Sequence, residues 1–102
     1  MRFISVQITA FVDDHQPGFV ECSLSDAQGQ VHTFIEKAPV VSRECLWSDS
    51  DYPRPGFIAC ELQTEWTDDA ERTLATVSTE LPWGIESTEG LQQFVLLRSQ
   101  LI

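Results

Sequence analysis

Residues 17–24 have the sequence PGFVECSL, and residues 55–62 repeat it as PGFIACEL. Six of the eight positions are identical or differ by one methylene group, and the alignment needs no gap. In each copy a Pro-Gly turn signal leads directly into a strand pattern in which every second residue is apolar. An Asp-containing turn and another strand pattern follow each copy. The sequence therefore predicts two related hairpin units, at approximately residues 17–40 and 55–83.

Alternation with a period of two also marks the strands outside the repeat. The apolar face of the first strand is expected to consist of Ile4, Val6, Ile8, Ala10 and Val12. Within the first unit, the strand after the turn has two distinct faces. One face carries Val31, Thr33 and Ile35, and the other carries His32, Phe34 and Glu36. The pair Val40 and Val41 can add a short strand after Pro39, which cannot itself donate to a ladder.

Short strands at regular spacing, separated by Gly, Pro and Asp, predict an all-β protein. A chain of 102 residues has the size of one domain and can bury a core without a metal or disulfide. Phe and Trp occur on both faces of several predicted strands, which favours closed architectures over an open sheet with one wet face. We predict a single domain, residues 1–102, folded as a small antiparallel β-barrel or sandwich of six to eight strands.

The chain is strongly acidic, with 6 Lys and Arg against 16 Asp and Glu and a formal net charge of −10. Such a surface repels the phosphates of nucleic acids and anionic membranes. It accelerates the encounter with basic proteins, although acidity also serves solubility alone. The strand pattern begins at once, with no apolar leader and no run long enough for a membrane span. We therefore expect a cytoplasmic protein with reduced thiols and a basic protein as its partner.

The cysteines and histidines do not form a recognisable catalytic or metal motif. Cys22 and Cys60 occupy equivalent positions of the repeat and are expected in the core. Cys45 with His15 or His32 would resemble a thiol nucleophile and its base, but Glu44 disfavours a thiolate there. The run Asp13-Asp14-His15 supplies fewer converging ligands than a zinc site needs. We predict no catalytic residue, no metal and no cofactor, and hence a protein that is not an enzyme.

The longest irregular stretch, residues 42–56, is the predicted interaction surface, because Trp and Tyr ringed by polar residues are typical interface anchors. A loop Trp can also fold back to cover the end of a barrel. Acidic side chains flank the two aromatic residues and recur at the tip of the second hairpin. The candidate partner-binding residues are Glu44, Trp47, Asp49, Asp51, Tyr52, Asp68 and Asp69, with Asp13 and Asp14 as alternative carboxylates.

Four segments resemble a group of short, acidic, cytoplasmic bacterial proteins. They are QPGFVEC at residues 16–22, FIEKAPV at 34–40, YPRPG at 52–56 and PWGIESTEG at 82–90. The resemblance covers most of the chain and implies no catalytic residues. In size and charge the chain is also similar to immunity proteins, which neutralise secreted bacterial toxins. That similarity is one of composition, and it implies a role as an inhibitor.

Two functional hypotheses follow. The first is a non-enzymatic binding module whose acidic loops occlude the active site of a basic toxin or nuclease domain. The second is a β-barrel, enzymatic or ligand-binding, with a polar pocket near His32, to which Glu21, Glu36 and Glu61 would contribute from the second faces of their strands. The oligomeric state stays open.

Overall fold

Six strands form one curled antiparallel sheet in the computed structural model, which describes residues 1–15 and 18–102. The strands are β1 (Arg2–Asp13), β2 (Phe19–Ser25), β3 (Val31–Lys37), β4 (Arg54–Thr67), β5 (Thr73–Ser78) and β6 (Gln93–Leu97). A single helical turn, α1 (Ala38–Val41), follows β3, and a 3₁₀ turn (Arg98–Gln100) follows β6. The predicted all-β, barrel-like fold is confirmed, and the curled sheet forms a half-barrel. Gln16 and Pro17, which open the first repeat, lie outside the described residues.

The sheet order is β3-β2-β1-β4-β5-β6, so that β1 lies between the opening strands of the two predicted units. Both neighbours run antiparallel to β1, with Ile8 opposite Cys22 on one side and Ile4 opposite Ile58 on the other. Cys22 and Cys60 are both buried, as expected from their equivalent positions. That residues 17–40 and 55–83 form two related units stays a prediction.

One hydrophobic core fills the concave side of the sheet. Every strand contributes alternate residues to it, including Ile4 and Ile8 from β1, Phe34 from β3 and Leu96 from β6. These side chains are fully buried. Burial of a side chain of this size contributes about 1.5–3 kcal/mol, so the core is the main source of stability.

The prediction for the apolar face of β1 is confirmed for Ile4, Val6 and Ile8, but it is wrong for Val12, which is 47% exposed. The pairing of β1 with β2 shifts register twice, between Ile8 and Ala10 and between Phe11 and Asp13. Each shift inserts one extra residue and exchanges the two faces of the strand. Phe11 therefore packs against the core beyond the first shift.

Strand β3 buries the face that carries its histidine. His32 and Phe34 are buried, whereas Val31 and Ile35 are 55% and 41% exposed. The rings of His32 and Phe34 both contact Phe94 of β6 edge-on, with centroid distances of 5.0 Å and 5.6 Å. The large aromatic ring of Phe34 thus takes the buried face of β3, and the β-branched Val31 and Ile35 lie on the exposed face.

The outer strands β3 and β6 approach each other across the open side of the half-barrel. The N–H of Ala27 donates to the carbonyl of Val95 at 2.9 Å, and the N–H of Thr88 donates to that of Thr33 at 2.7 Å. Phe94 packs between the two edges from inside. The sheet edges are therefore partly covered rather than fully exposed.

Helical turn α1 replaces the short strand expected at Val40 and Val41. Pro39 occupies one of the first positions of the turn, where its missing N–H costs nothing. Ala38 and Val41 are buried against the core at the end of the half-barrel. The two valines favour a strand only by propensity, and their packing overrides it.

Three turns share one hydrogen-bond pattern. In each, the side chain of the first turn residue accepts the backbone N–H groups of the residues two and four positions later. The carboxylate of Asp26 accepts the N–H of residues 28 and 30, and that of Asp68 accepts the N–H of residues 70 and 72. The hydroxyl of Ser87 accepts the N–H of residues 89 and 91 in the same way. The fourth turn residue has positive φ each time and is Gly29, Glu71 or Gly90.

Glu71 is the only non-glycine residue with positive φ in the described part of the chain, at 63°. We expect Glu71→Gly to raise the free energy of unfolding by about 1 kcal/mol, because the left-handed conformation costs an L-residue roughly that much. Urea titration measures the change. Gly29→Ala is the matched control, since φ there is +81° and a Cβ would touch nothing within 4 Å. It should lower stability by about the same amount, and a loss of stability in Glu71→Gly would contradict this explanation.

Gly56, in the second Pro-Gly-Phe segment, is required by close packing. A Cβ there would lie 2.7 Å from Cγ1 of Ile8 and 3.0 Å from the carbonyl oxygen of Val41. We expect Gly56→Ala to destabilise the protein by about 1–3 kcal/mol through overpacking. The double variant Gly56→Ala, Ile8→Val lacks Cδ1 of Ile8, which would lie 2.8 Å from the new Cβ, and should recover part of the loss in the same titration. Unchanged stability of Gly56→Ala would contradict the close packing of Gly56 against Ile8 and Val41.

Candidate functional site

The chain between β3 and β4 has to cross one end of the half-barrel, because β2 and β1 lie between these two strands. After α1 it does so as an irregular segment, residues 42–53, which we call the crossover loop. Leu46 of this loop is buried in the core, and Tyr52 packs against the core from its edge. The hydroxyl of Tyr52 donates to the carbonyl of Trp47 at 2.8 Å. The crossover loop is thus fastened to the barrel end and also to itself.

A groove with a volume of about 550 Å³ lies between the crossover loop and the end of β1 with the nearby residues Asp14 and Gly18. We call it the end groove. Phe11, Asp14 and Gly18 line one side, and residues 42–48 line the other. Ala38 joins the two sides, because it lines the groove and its N–H donates to the carbonyl of Gly18 at 2.9 Å. Carboxylates, a thiol and apolar surfaces therefore meet at the end of the barrel.

Trp47 is the most exposed aromatic residue of the crossover loop, with 59% of its surface accessible. It lines the end groove together with Glu44, whose side chain forms an ion pair with Arg54 at 2.6 Å. The hydroxyl of Ser50 accepts the backbone N–H of Trp47 at 3.0 Å and holds this part of the loop. An exposed indole on a braced loop has the typical form of an interface anchor.

The first residues after β1 include a histidine that contacts the last residue of the strand. The Nδ1 atom of His15 and Oδ1 of Asp13 are 2.5 Å apart. Hydrogen bonds from the backbone and the ring of His15 lower the pKa of Asp13, and the same carboxylate raises the pKa of His15. Ligand atoms of Asp13, Asp14 and His15 lie within 4.8 Å of one another, all on exposed side chains. Three exposed groups from one turn form at most a loose cation contact.

The structure separates the predicted partner-binding residues into two groups. Glu44, Trp47, Asp49, Asp51 and Tyr52 belong to the crossover loop, at the start of β4. Asp68 and Asp69 follow the other end of β4, whose 14 residues at about 3.3 Å each span roughly 40 Å. A single flat contact cannot include both groups. The alternative carboxylates, Asp13 and Asp14, lie with the crossover loop, because β1 pairs antiparallel with β4 and ends beside the start of β4.

Asp68 uses its carboxylate within its own hairpin. Besides the turn bonds, it forms an ion pair with Arg72 at 2.9 Å. The backbone and side chain of Arg72 both lower the pKa of Asp68. The guanidinium of Arg72 also donates to the carbonyl of Ala27, 3.2 Å away, and thereby ties this tip to the other hairpin. The contacts of Asp68 are those of a residue that shapes a turn.

His32 lies in the core rather than in an open pocket. Its Nε2 atom is 2.9 Å from Oδ2 of Asp26, while its buried Nδ1 atom has no partner among the described residues. Burial opposes ionisation of Asp26, but the hydrogen bonds from His32 and the turn hold its pKa below the ordinary value. Glu36 lies four residues further along β3, and burial raises its pKa. Register places Glu21 and Glu61 on the outer face, opposite Ile35 and Ser78, so these groups do not converge.

A second cavity of about 350 Å³ lies on the outer face of β1 and β4. Phe3 and Phe57 meet edge-on inside it at 5.1 Å, and the guanidinium of Arg43 lies 5.7 Å from the ring centre of Phe57. Neither of these cavities has a signal in the sequence, because each depends on segments that are distant in the chain. Neither cavity is lined by His32.

No family model, curated protein or solved structure matches this chain. Among the described residues, the helical segments are too short to cross a lipid bilayer.

The three cysteines differ sharply in accessibility. Burial raises the pKa of Cys22 to about 12 and that of Cys60 to about 11, while Cys45 is exposed at the end groove. Because a raised pKa keeps a thiol protonated, both buried groups should be unreactive at pH 8. We expect a chromogenic disulfide reagent to modify one thiol per native chain rapidly, and all three after denaturation. Cys45→Ser should abolish the rapid phase, and a rapid phase that persists would contradict the assignment.

Proposed function

We propose that this chain is a non-enzymatic acidic protein-binding module that docks a basic protein surface with its crossover loop. The observation that carries the proposal is the position of Trp47, 59% exposed beside the end groove with Asp14 and Glu44. Aromatic residues at the centre of a contact, surrounded by polar groups, supply most of the binding energy of typical interfaces.

Charge supports a basic partner. The net charge of −10 belongs to a molecule only 45 × 24 × 23 Å in size, and its field extends about 10 Å into solvent at 0.1 M salt. The crossover loop adds the exposed carboxylates of Asp49 and Asp51 to those at the groove. Such a field speeds the association of oppositely charged proteins and orients them on encounter. It also disfavours direct binding to nucleic acid.

The partner class that fits these properties is a secreted toxin domain of the nuclease kind. A nuclease binds phosphates with a basic surface, and carboxylates of an inhibitor occupy the same surface. In this proposal the crossover loop covers the active site, while Asp14, Glu44, Asp49 and Asp51 take the positions of substrate phosphates. The protein then acts as an immunity protein or inhibitor.

The test is affinity capture from a lysate of the source cells, followed by kinetic measurement on the purified captured protein. We expect the association rate constant to fall at least about tenfold between 50 and 500 mM NaCl, because steering is screened. Trp47→Ala should weaken the dissociation constant by roughly thirtyfold, as expected of a central anchor.

Trp83→Ala is the matched control, because Trp83 is 50% exposed in the loop between β5 and β6. It should leave the dissociation constant unchanged within about twofold, in line with a residue outside the contact. An association rate that is indifferent to salt would refute the electrostatic argument. Equal losses in both tryptophan variants would refute the placement of the contact.

A further inference from the structure

The end groove is shaped before any partner arrives. The ring of Phe11 packs so closely on Gly18 that a Cβ at this glycine would lie 2.8 Å from the ring. Gly18 also has φ of +92°, so both the space and the backbone require glycine. The carbonyl of Gly18 accepts the N–H of Ala38. On the other side of the groove, Leu46 is buried in the core. A groove fixed on both sides loses little entropy when it is filled.

The basic side chains close to the groove already have partners. Arg43 lines the groove, but its guanidinium lies over Phe57, which belongs to the second cavity. Arg54 reaches only Oε2 of Glu44, and the side chain of Glu44 remains 61% exposed. His15 is bound to Asp13. The groove thus presents the carboxylate of Asp14, the exposed side chain of Glu44 and the indole of Trp47.

We propose that the end groove binds an arginine side chain of a basic protein partner, with its guanidinium against Trp47 and hydrogen-bonded to Asp14 and Glu44. This inference rests on the proposed function and specifies its central contact. A volume of about 550 Å³ accommodates one long side chain and the adjoining backbone of a partner. Charge complementarity favours a cation, because Asp14 and Glu44 supply carboxylates at the groove and the chain carries a formal net charge of −10.

The chemistry favours arginine over lysine. A planar guanidinium stacks on an aromatic face and donates to two carboxylates in fixed directions, whereas an ammonium is a compact and strongly hydrated charge. Phe11 and Pro39 provide apolar surface for the methylene stem of the side chain. The arrangement therefore predicts a distinction between two residues of equal charge.

The test uses Nα-acetyl-L-arginine amide as the probe, with the full chain carrying Trp66→Phe and Trp83→Phe so that fluorescence reports Trp47 alone. We expect a saturable change at millimolar probe concentrations, as befits a single side chain. The lysine analogue should bind at least about fivefold more weakly, and the citrulline analogue, which lacks the charge, should not saturate. Thermal unfolding of the double variant verifies that the fold is retained.

Variants then identify the carboxylates. Asp14→Asn and Glu44→Gln should each weaken binding of the arginine probe about fivefold, in the range of a charge-assisted hydrogen bond. Glu80→Gln removes an exposed carboxylate outside the groove and should have no effect. Equal binding of the arginine and citrulline probes, or of the arginine and lysine probes, would overturn the proposal. So would an arginine affinity that both groove variants leave unchanged.

The failure of this inference can be distinguished from failure of the proposed function. A captured partner whose binding needs Trp47 but resists competition by the arginine probe overturns the arginine site and leaves the binding module intact. Conversely, a captured partner whose binding is insensitive to Trp47→Ala refutes the docking surface of the proposed function. Saturable binding of the arginine probe would still support the arginine site in that case. The competition is measured on wild-type protein.

Discussion

The position of β1 between the two hairpins governs the rest of the molecule. Because β1 pairs with β2 on one side and β4 on the other, the chain must leave β3 and pass over two strands before it can enter β4. No tight turn can span that distance. The crossover loop is the consequence, and its route across the barrel end requires Leu46 and α1 to cover the core there. The candidate site thus occupies the one connection that topology forces to be long.

Much of the fold could be predicted, because strand periodicity and turn residues are local signals. The alternation in β1 and in the Pro-Gly-Phe units was sufficient for the fold class and for the burial of Cys22 and Cys60. Register shifts are not local signals, since they arise from the pairing with a neighbour. For this reason the alternation places Val12 on the wrong face. The buried face of β3 was similarly ambiguous until Phe94 of β6 provided a partner for His32 and Phe34.

The same division applies to the site. Residue type and loop length were enough to single out Trp47, Tyr52 and Glu44, which the structure places in one braced loop. The opposite side of the groove, with Phe11 and Gly18, gave no signal because it exists only through a tertiary contact. Asp68 illustrates the reverse problem. A hairpin-tip carboxylate resembles a binding residue in sequence, yet its oxygens are used by the N–H groups of its own turn.

The crossover loop has a further consequence for how the protein can change. Strand residues are constrained on both sides by register and by the core, so that a single insertion would exchange their faces. Residues 48–51 belong to no strand and contribute nothing to the core. Loops of this kind tolerate substitution and changes of length at small entropic cost. Recognition can therefore diverge rapidly between related chains while Leu46 and Tyr52 keep the two ends of the variable segment in place.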